Sequence, residues 1–129
     1  MRLQKNAASL MQNEKTLEEK LIEGIQERKG RSITVLDMGG VNNAGVESFV
    51  ICQGTSPTHV TSVADSVREY VHEQYGIKPY NYDGYRNAQW IVLDYGNVLV
   101  HVFTPEWREH YNLEELWSDA RRTDIPDLD

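Results

Sequence analysis

The chain has a single cysteine, Cys52, and only 13 Lys and Arg against 20 Asp and Glu, for a net charge of −7 over 129 residues. A lone thiol excludes an intramolecular disulfide and suits a reducing compartment. No apolar run approaches the roughly 20 residues needed to cross a bilayer as a helix. The opening residues lack the basic-then-apolar order of a secretory signal. A soluble, cytoplasmic chain without a membrane partner is therefore expected. The shortage of cations excludes an extended nucleic-acid face, because binding along phosphates needs clustered Lys and Arg to displace counterions. The basic residues here are scattered, with short pairs at Arg28-Lys29 and Arg121-Arg122. An acidic chain is instead steered toward basic protein partners.

What is present is an alternation of helix and strand signals in a chain of one-domain length. Residues 1–15 are polar and weakly patterned, and a flexible N-terminus is expected. Thr16-Leu17-Glu18-Glu19 fits a capping box, and Leu17, Leu21, Ile22 and Ile25 follow at helical spacing. Arg28 and Lys29 complement the negative helix end, and Gly30 is the expected left-handed stop. Residues 33–38 read as a strand, followed by a polar loop from Gly39-Gly40 to Gly45. Residues 49–52, Phe-Val-Ile-Cys, are apolar on both faces, as in a central strand. Ser56 and Pro57 then open a helix with Val60, Val63, Ala64, Val67 and Val71 as its stripe, and Gly76 ends it.

Two further strands, Trp90–Asp94 and Val98–Phe103, are separated by Gly96-Asn97, which fits a two-residue hairpin turn. Pairing Tyr95 with Val98 places Ile91, Leu93, Tyr95, Val98, Val100 and Val102 on one face, expected to lie on the core. Trp90, Val92, Asp94, Leu99, His101 and Phe103 occupy the other, an apolar face punctuated by an acid and a histidine. Trp90 is a candidate interface anchor, and Tyr95, at the hairpin tip, is expected to stay partly exposed. Thr104 and Pro105 start a short helix. Leu113, Leu116 and Trp117 form a small apolar cluster. The domain is taken as residues 16–117, and residues 118–129, with four Asp, as a solvated acidic tail.

Chemistry finds little support. A nucleotidyltransferase needs two closely spaced carboxylates after a glycine turn to hold its metal ions. Neither Gly39-Gly40 nor Gly54-Thr55-Ser56 leads to such a pair. His59, His72, His101 and His110 lack metal-ligand spacing, and no phosphate loop or dinucleotide fingerprint occurs. Asp94 and His101 share a face, but no serine or cysteine is placed to act as a nucleophile beside them. No catalytic residue, metal or cofactor is assigned. The alternative is a small nucleotidyltransferase-like or hydrolytic enzyme using Asp94 and His101.

Residues 90–117 carry the order W-x-x-x-D-x-G, V-H-V-F and R-E-x-Y-x-L-E-x-L-W, which resembles the ribosomal silencing factor family, also called Iojap-like. The resemblance covers Leu17 to Trp117 and includes S-F-V-I-C-Q-G-T-S-x-x-H-V, from Ser48 to Val60, like the family's strand followed by a capped helix. It implies an α/β fold with a mixed β-sheet and flanking helices, like a nucleotidyltransferase sandwich lacking its catalytic carboxylates. It also implies a non-enzymatic, homodimeric translation repressor. Such a protein binds ribosomal protein fourteen of the large subunit and sterically blocks joining with the small subunit. Carried onto this chain, the partner-binding residues are Trp90, Asp94, Tyr95, Gly96 and His101. Asp83-Gly84 stands where the family commonly has Glu-Gly, and Asn97 where an aspartate is common.

Overall fold

In the computed structural model, which describes residues 15–41 and 44–128, the first helix α1 (Leu17–Gln26) starts on the expected capping box. Thr16 Oγ1 accepts the Glu19 N–H at 3.1 Å, and Glu19 Oε1 accepts the Thr16 N–H at 2.8 Å. Its end differs from expectation. Lys29, not Gly30, takes the left-handed conformation, at φ 58°. Gly30 is needed for space instead, since a Cβ there would lie 2.3 Å from Ile25 Cγ2. Apart from Lys15, whose ammonium pairs with Glu23, the N-terminal segment expected to be flexible lies outside the described residues.

The chain continues through β1 (Arg31–Asp37), β2 (Ser48–Gln53) and α2 (Pro57–Tyr75). Ser56 Oγ caps α2 by accepting the His59 N–H at 3.2 Å, and Gly76 closes it at φ 70°. Then come β3 (Asn81–Asp83), β4 (Trp90–Asp94), β5 (Val98–Phe103), α3 (Pro105–Tyr111), α4 (Leu113–Leu116) and β6 (Arg121–Ile125). The strands form one mixed sheet in the order β3-β4-β5-β2-β1-β6. Only β2 and β5 run parallel, reached by the crossover through α2; the other pairs are antiparallel.

The fold is the expected mixed α/β type, with helical cover on both sheet faces. On one side α1 and α2 bury Ile33, Val50, Cys52, Ile91, Leu93, Val100 and Val102. On the other, Leu36, Phe49, Ile51 and Phe103 lie under Leu113 and Trp117. β2 is therefore central, and full burial of Val50 and Ile51 contributes about 2 kcal/mol each relative to exposure.

Residues 118–129 are not merely a tail. Residues 121–125 pair along β1 from Ile33↔Ile125 to Asp37↔Arg121. The strand was disguised because it sits at the sheet edge, where Arg121, Arg122, Thr123 and Asp124 all face solvent and only Ile125 reaches the core. Its gain is backbone pairing, which leaves no hydrophobic pattern to read. The short β3 was missed for the same reason, being exposed throughout. Two smaller expectations fail as well. Thr104 Oγ1 donates to Gln89 Oε1 at 2.9 Å instead of capping α3, and Leu116 is 69% exposed, outside the cluster formed by Leu113 and Trp117.

Gly84 links β3 to β4 at φ 103°, and a Cβ there would lie 2.1 Å from the Trp90 carbonyl oxygen. Gly84→Ala should therefore destabilise the fold by about 3 kcal/mol through combined strain and overlap. Urea unfolding measures this, and an unchanged midpoint would contradict the crowding.

Candidate docking face

The hairpin forms in the expected register. Trp90 lies opposite Phe103, Val92 opposite His101 and Asp94 opposite Leu99. Tyr95 N–H donates to the Val98 carbonyl at 2.9 Å, and Gly96 turns the chain at φ 87°. Asp94 Oδ1 accepts the Gly96 N–H at 2.8 Å, so this carboxylate holds the turn in shape. Ile91, Leu93, Tyr95, Val98, Val100 and Val102 all join the core beneath α1 and α2.

Tyr95 lies on the core face, as the alternation places it, and at 5% exposed it departs only from the partial exposure expected at the hairpin tip. Its burial raises the phenol pKa, and its hydroxyl has no hydrogen-bond partner. A direct contact with a partner is closed to this side chain in this conformation. Gly96, by contrast, is exposed, with the Tyr80 ring beside it, and Tyr80 is itself 83% exposed.

The opposite face centres on the half-buried Trp90. Its indole stacks on Phe103 (centroids 4.9 Å apart, 23° between planes) and meets Tyr111 at 4.8 Å. The indole N–H donates to His101 Nδ1 at 3.1 Å. His101 is buried, with Phe49 edge-on at 4.6 Å, and its Nε2 has no partner. Burial lowers its pKa to about 4, so the ring is neutral at pH 7. With Nδ1 accepting, the ring proton belongs on Nε2, a buried donor whose lost hydration costs about 1–3 kcal/mol.

Asp94 and His101 do not form the pair on which an enzyme reading depended. The carboxylate is bonded to the turn and the imidazole to Trp90. Cys52 is fully buried, which pushes its thiol up to about 12 and suits a small apolar filler.

The face continues onto α3, which buries none of its residues. Trp107 and Tyr111, 36% and 43% exposed, stand one turn apart with ring centroids 5.4 Å from each other. Tyr111 then joins Trp107 to Trp90, making a contiguous aromatic ridge, with the exposed Glu106 on the same helix. Sequence reasoning assigned Trp107 and Tyr111 no part in this surface. The available signal was their i, i+4 spacing on a helix otherwise composed of polar residues and proline.

Arg108 holds α3 in place. Its Nε and Nη2 donate to Glu114 Oε2 at 2.9 and 2.7 Å, Nη1 to the Ser32 carbonyl at 2.6 Å and Gln53 Oε1 at 3.2 Å, and Nη2 to Thr34 Oγ1 at 3.0 Å. Every guanidinium N–H thus has an acceptor. Thr34 passes the connection on, donating to Asp124 Oδ1 of β6 at 2.8 Å.

The family model described as ribosomal silencing factor during starvation matches residues 11–129. The chain belongs to this family. It is 34% identical to the ribosomal silencing factor RsfS of Halalkalibacterium halodurans, over 81% of this chain and 87% of that protein. Identity to RsfS of Bacillus subtilis is 33%, covering 88% of this chain and 94% of the relative. A crystal structure of a Bacillus halodurans protein superposes with a TM-score of 0.68 at 31% identity, over 88% of this chain and 96% of the other. Membership thus agrees with the resemblance carried by residues 90–117.

The buried His101 has a measurable consequence. The unfolded chain takes up a proton near the ordinary pKa of 6.5, whereas the folded chain resists until about 4. This contribution to stability is complete above 6.5 and is lost as pH falls toward 4, by about 2 kcal/mol between pH 7 and pH 5. In urea unfolding, His101→Phe should flatten the dependence over that range. An identical slope in the variant would show that His101 is not its source.

Proposed function

We propose that this silencing-factor family member represses translation by binding the large ribosomal subunit through ribosomal protein fourteen and blocking joining of the small subunit. The observation that carries the proposal is the aromatic ridge of Trp90, Tyr111 and Trp107. A short helix that buries nothing of its own, yet presents two large rings contiguous with a half-buried tryptophan, has the composition of a binding hot spot. Glu106 on α3 and Asp94 on the hairpin suit a basic partner, as does the net charge of −7.

In this role the partner contacts Trp90, Asp94 and the backbone at Gly96, with Trp107 and Tyr111 extending the surface. His101 contributes from beneath, whereas Tyr95, buried on the opposite sheet face, makes no direct contact. The mechanism is steric: no bond is made or broken, and the body of the domain occupies space that the small subunit requires. The protein acts in the cytoplasm, as a homodimer, without a cofactor.

Cosedimentation with isolated subunits, alongside light scattering of subunit joining, tests this. The chain should pellet with large but not small subunits and slow their joining. Trp90→Ala should weaken binding by about 30-fold, equivalent to roughly 2 kcal/mol, while cooperative unfolding persists. Raising salt from about 50 to about 300 mM should weaken association further. Failure to bind at low salt would overturn the proposal.

A further inference from the structure

We propose that His101 is the positioning residue of the docking face, accepting the Trp90 indole N–H so that the ring is held in the plane presented to the partner. This rests on the docking function proposed above. His101 has little freedom of its own. It lies on β5 between Val92 of β4 and Ile51 of β2, so both neighbouring strands fix its backbone. Phe49 contacts the ring edge-on at 4.6 Å, and Phe103 lies parallel to it within 13° at 6.2 Å. Nδ1 is then aimed at the Trp90 indole nitrogen, 3.1 Å away.

The orphaned Nε2 is the second observation. A purely space-filling role would be better served by an apolar ring, which buries no unsatisfied donor. The imidazole tolerates that orphan and in return keeps an acceptor facing Trp90. Without the acceptor, the half-buried indole N–H has water as its alternative partner. Turning toward water would move the ring off Phe103 and Tyr111, which flank it at 4.9 and 4.8 Å, and so break the ridge. His101 thus acts through Trp90 and touches no partner itself.

A double-mutant cycle on the full chain separates this from simple packing. Dissociation constants for isolated large subunits would be measured for wild type, His101→Phe, Trp90→Phe and the double variant, with His101→Asn as the conservative replacement. Phenylalanine at position 90 keeps an aromatic ring and lacks the N–H. His101→Phe should weaken binding about tenfold, the worth of one good hydrogen bond, and have almost no further effect in the Trp90→Phe background. His101→Asn, which can offer an amide oxygen near the Nδ1 position, should restore most of the loss. Equal losses in both backgrounds, or no loss in either, would overturn the inference while leaving the docking function standing. Absence of wild-type binding would instead overturn the docking function and this inference with it. If His101→Phe does not fold, nitrogen NMR of the wild-type imidazole decides: Nδ1 unprotonated and shifted as an acceptor supports the role, and a proton on Nδ1 refutes it.

Discussion

The guanidinium of Arg108 fastens α3 to the paired strands β1 and β2 and to α4. It reaches from α3 to a bulge in β1, to Gln53 at the end of β2 and to Glu114 of α4. The bulge is where the β1–β2 register shifts and Ser32 adopts φ 52°, and the carbonyl of Ser32 is one of the groups that Arg108 captures. Its ion pair with Glu114 is mostly out of solvent, with side chains 12% and 10% exposed. Such a pair brings little net stability over an apolar substitute, yet losing one partner leaves a charge stranded at a cost of several kcal/mol. Its contribution is geometric: five directional bonds set where α3 lies, and α3 carries Trp107 and Tyr111.

The sheet divides the labour between its faces. Beneath α1 and α2 the side chains are aliphatic and interlocked, with Tyr95 the one polar-tipped member drawn from the hairpin. The other face is aromatic, running from Trp117 through Phe49, His101 and Phe103 to Trp90, with centroid separations of 4.6 to 6.2 Å along the way. Aliphatic packing supplies stability through buried area, whereas aromatic packing also fixes orientation. An aromatic layer that is covered at Phe49 and Phe103 and open at Tyr111 is suited to meeting another protein.

Among the described residues, the two buried side-chain atoms without partners, Tyr95 Oη and His101 Nε2, belong to the hairpin strands or their turn. Each works against stability, and they lie on opposite faces of the same structural unit. A hairpin selected for stability alone would carry apolar residues at both positions. For His101 the Trp90 bond accounts for the exception; for Tyr95 the structure shows no compensating bond.

Much of this architecture was legible from residue order, because hydrophobic burial and backbone capping are local signals. The Thr16–Glu19 box, the Ser56 cap, the doubly buried β2 and the alternation of the hairpin faces all follow from spacing and turn chemistry. The family motif in residues 90–117 likewise marked Trp90, Asp94 and Gly96. Elements stabilised by pairing without burial left no such mark, which is why β3 and β6 were invisible. Only the tertiary structure could decide that Tyr95 is covered even at the hairpin tip, that His101 serves Trp90 and leaves Asp94 to the turn, and that Tyr111 and Trp107 continue the aromatic face from Trp90. Those outcomes depend on which distant side chain arrives within about 3 to 5 Å, the range over which hydrogen bonds and ring contacts act. A linear pattern specifies which face a residue occupies, and the packed fold determines what meets it there.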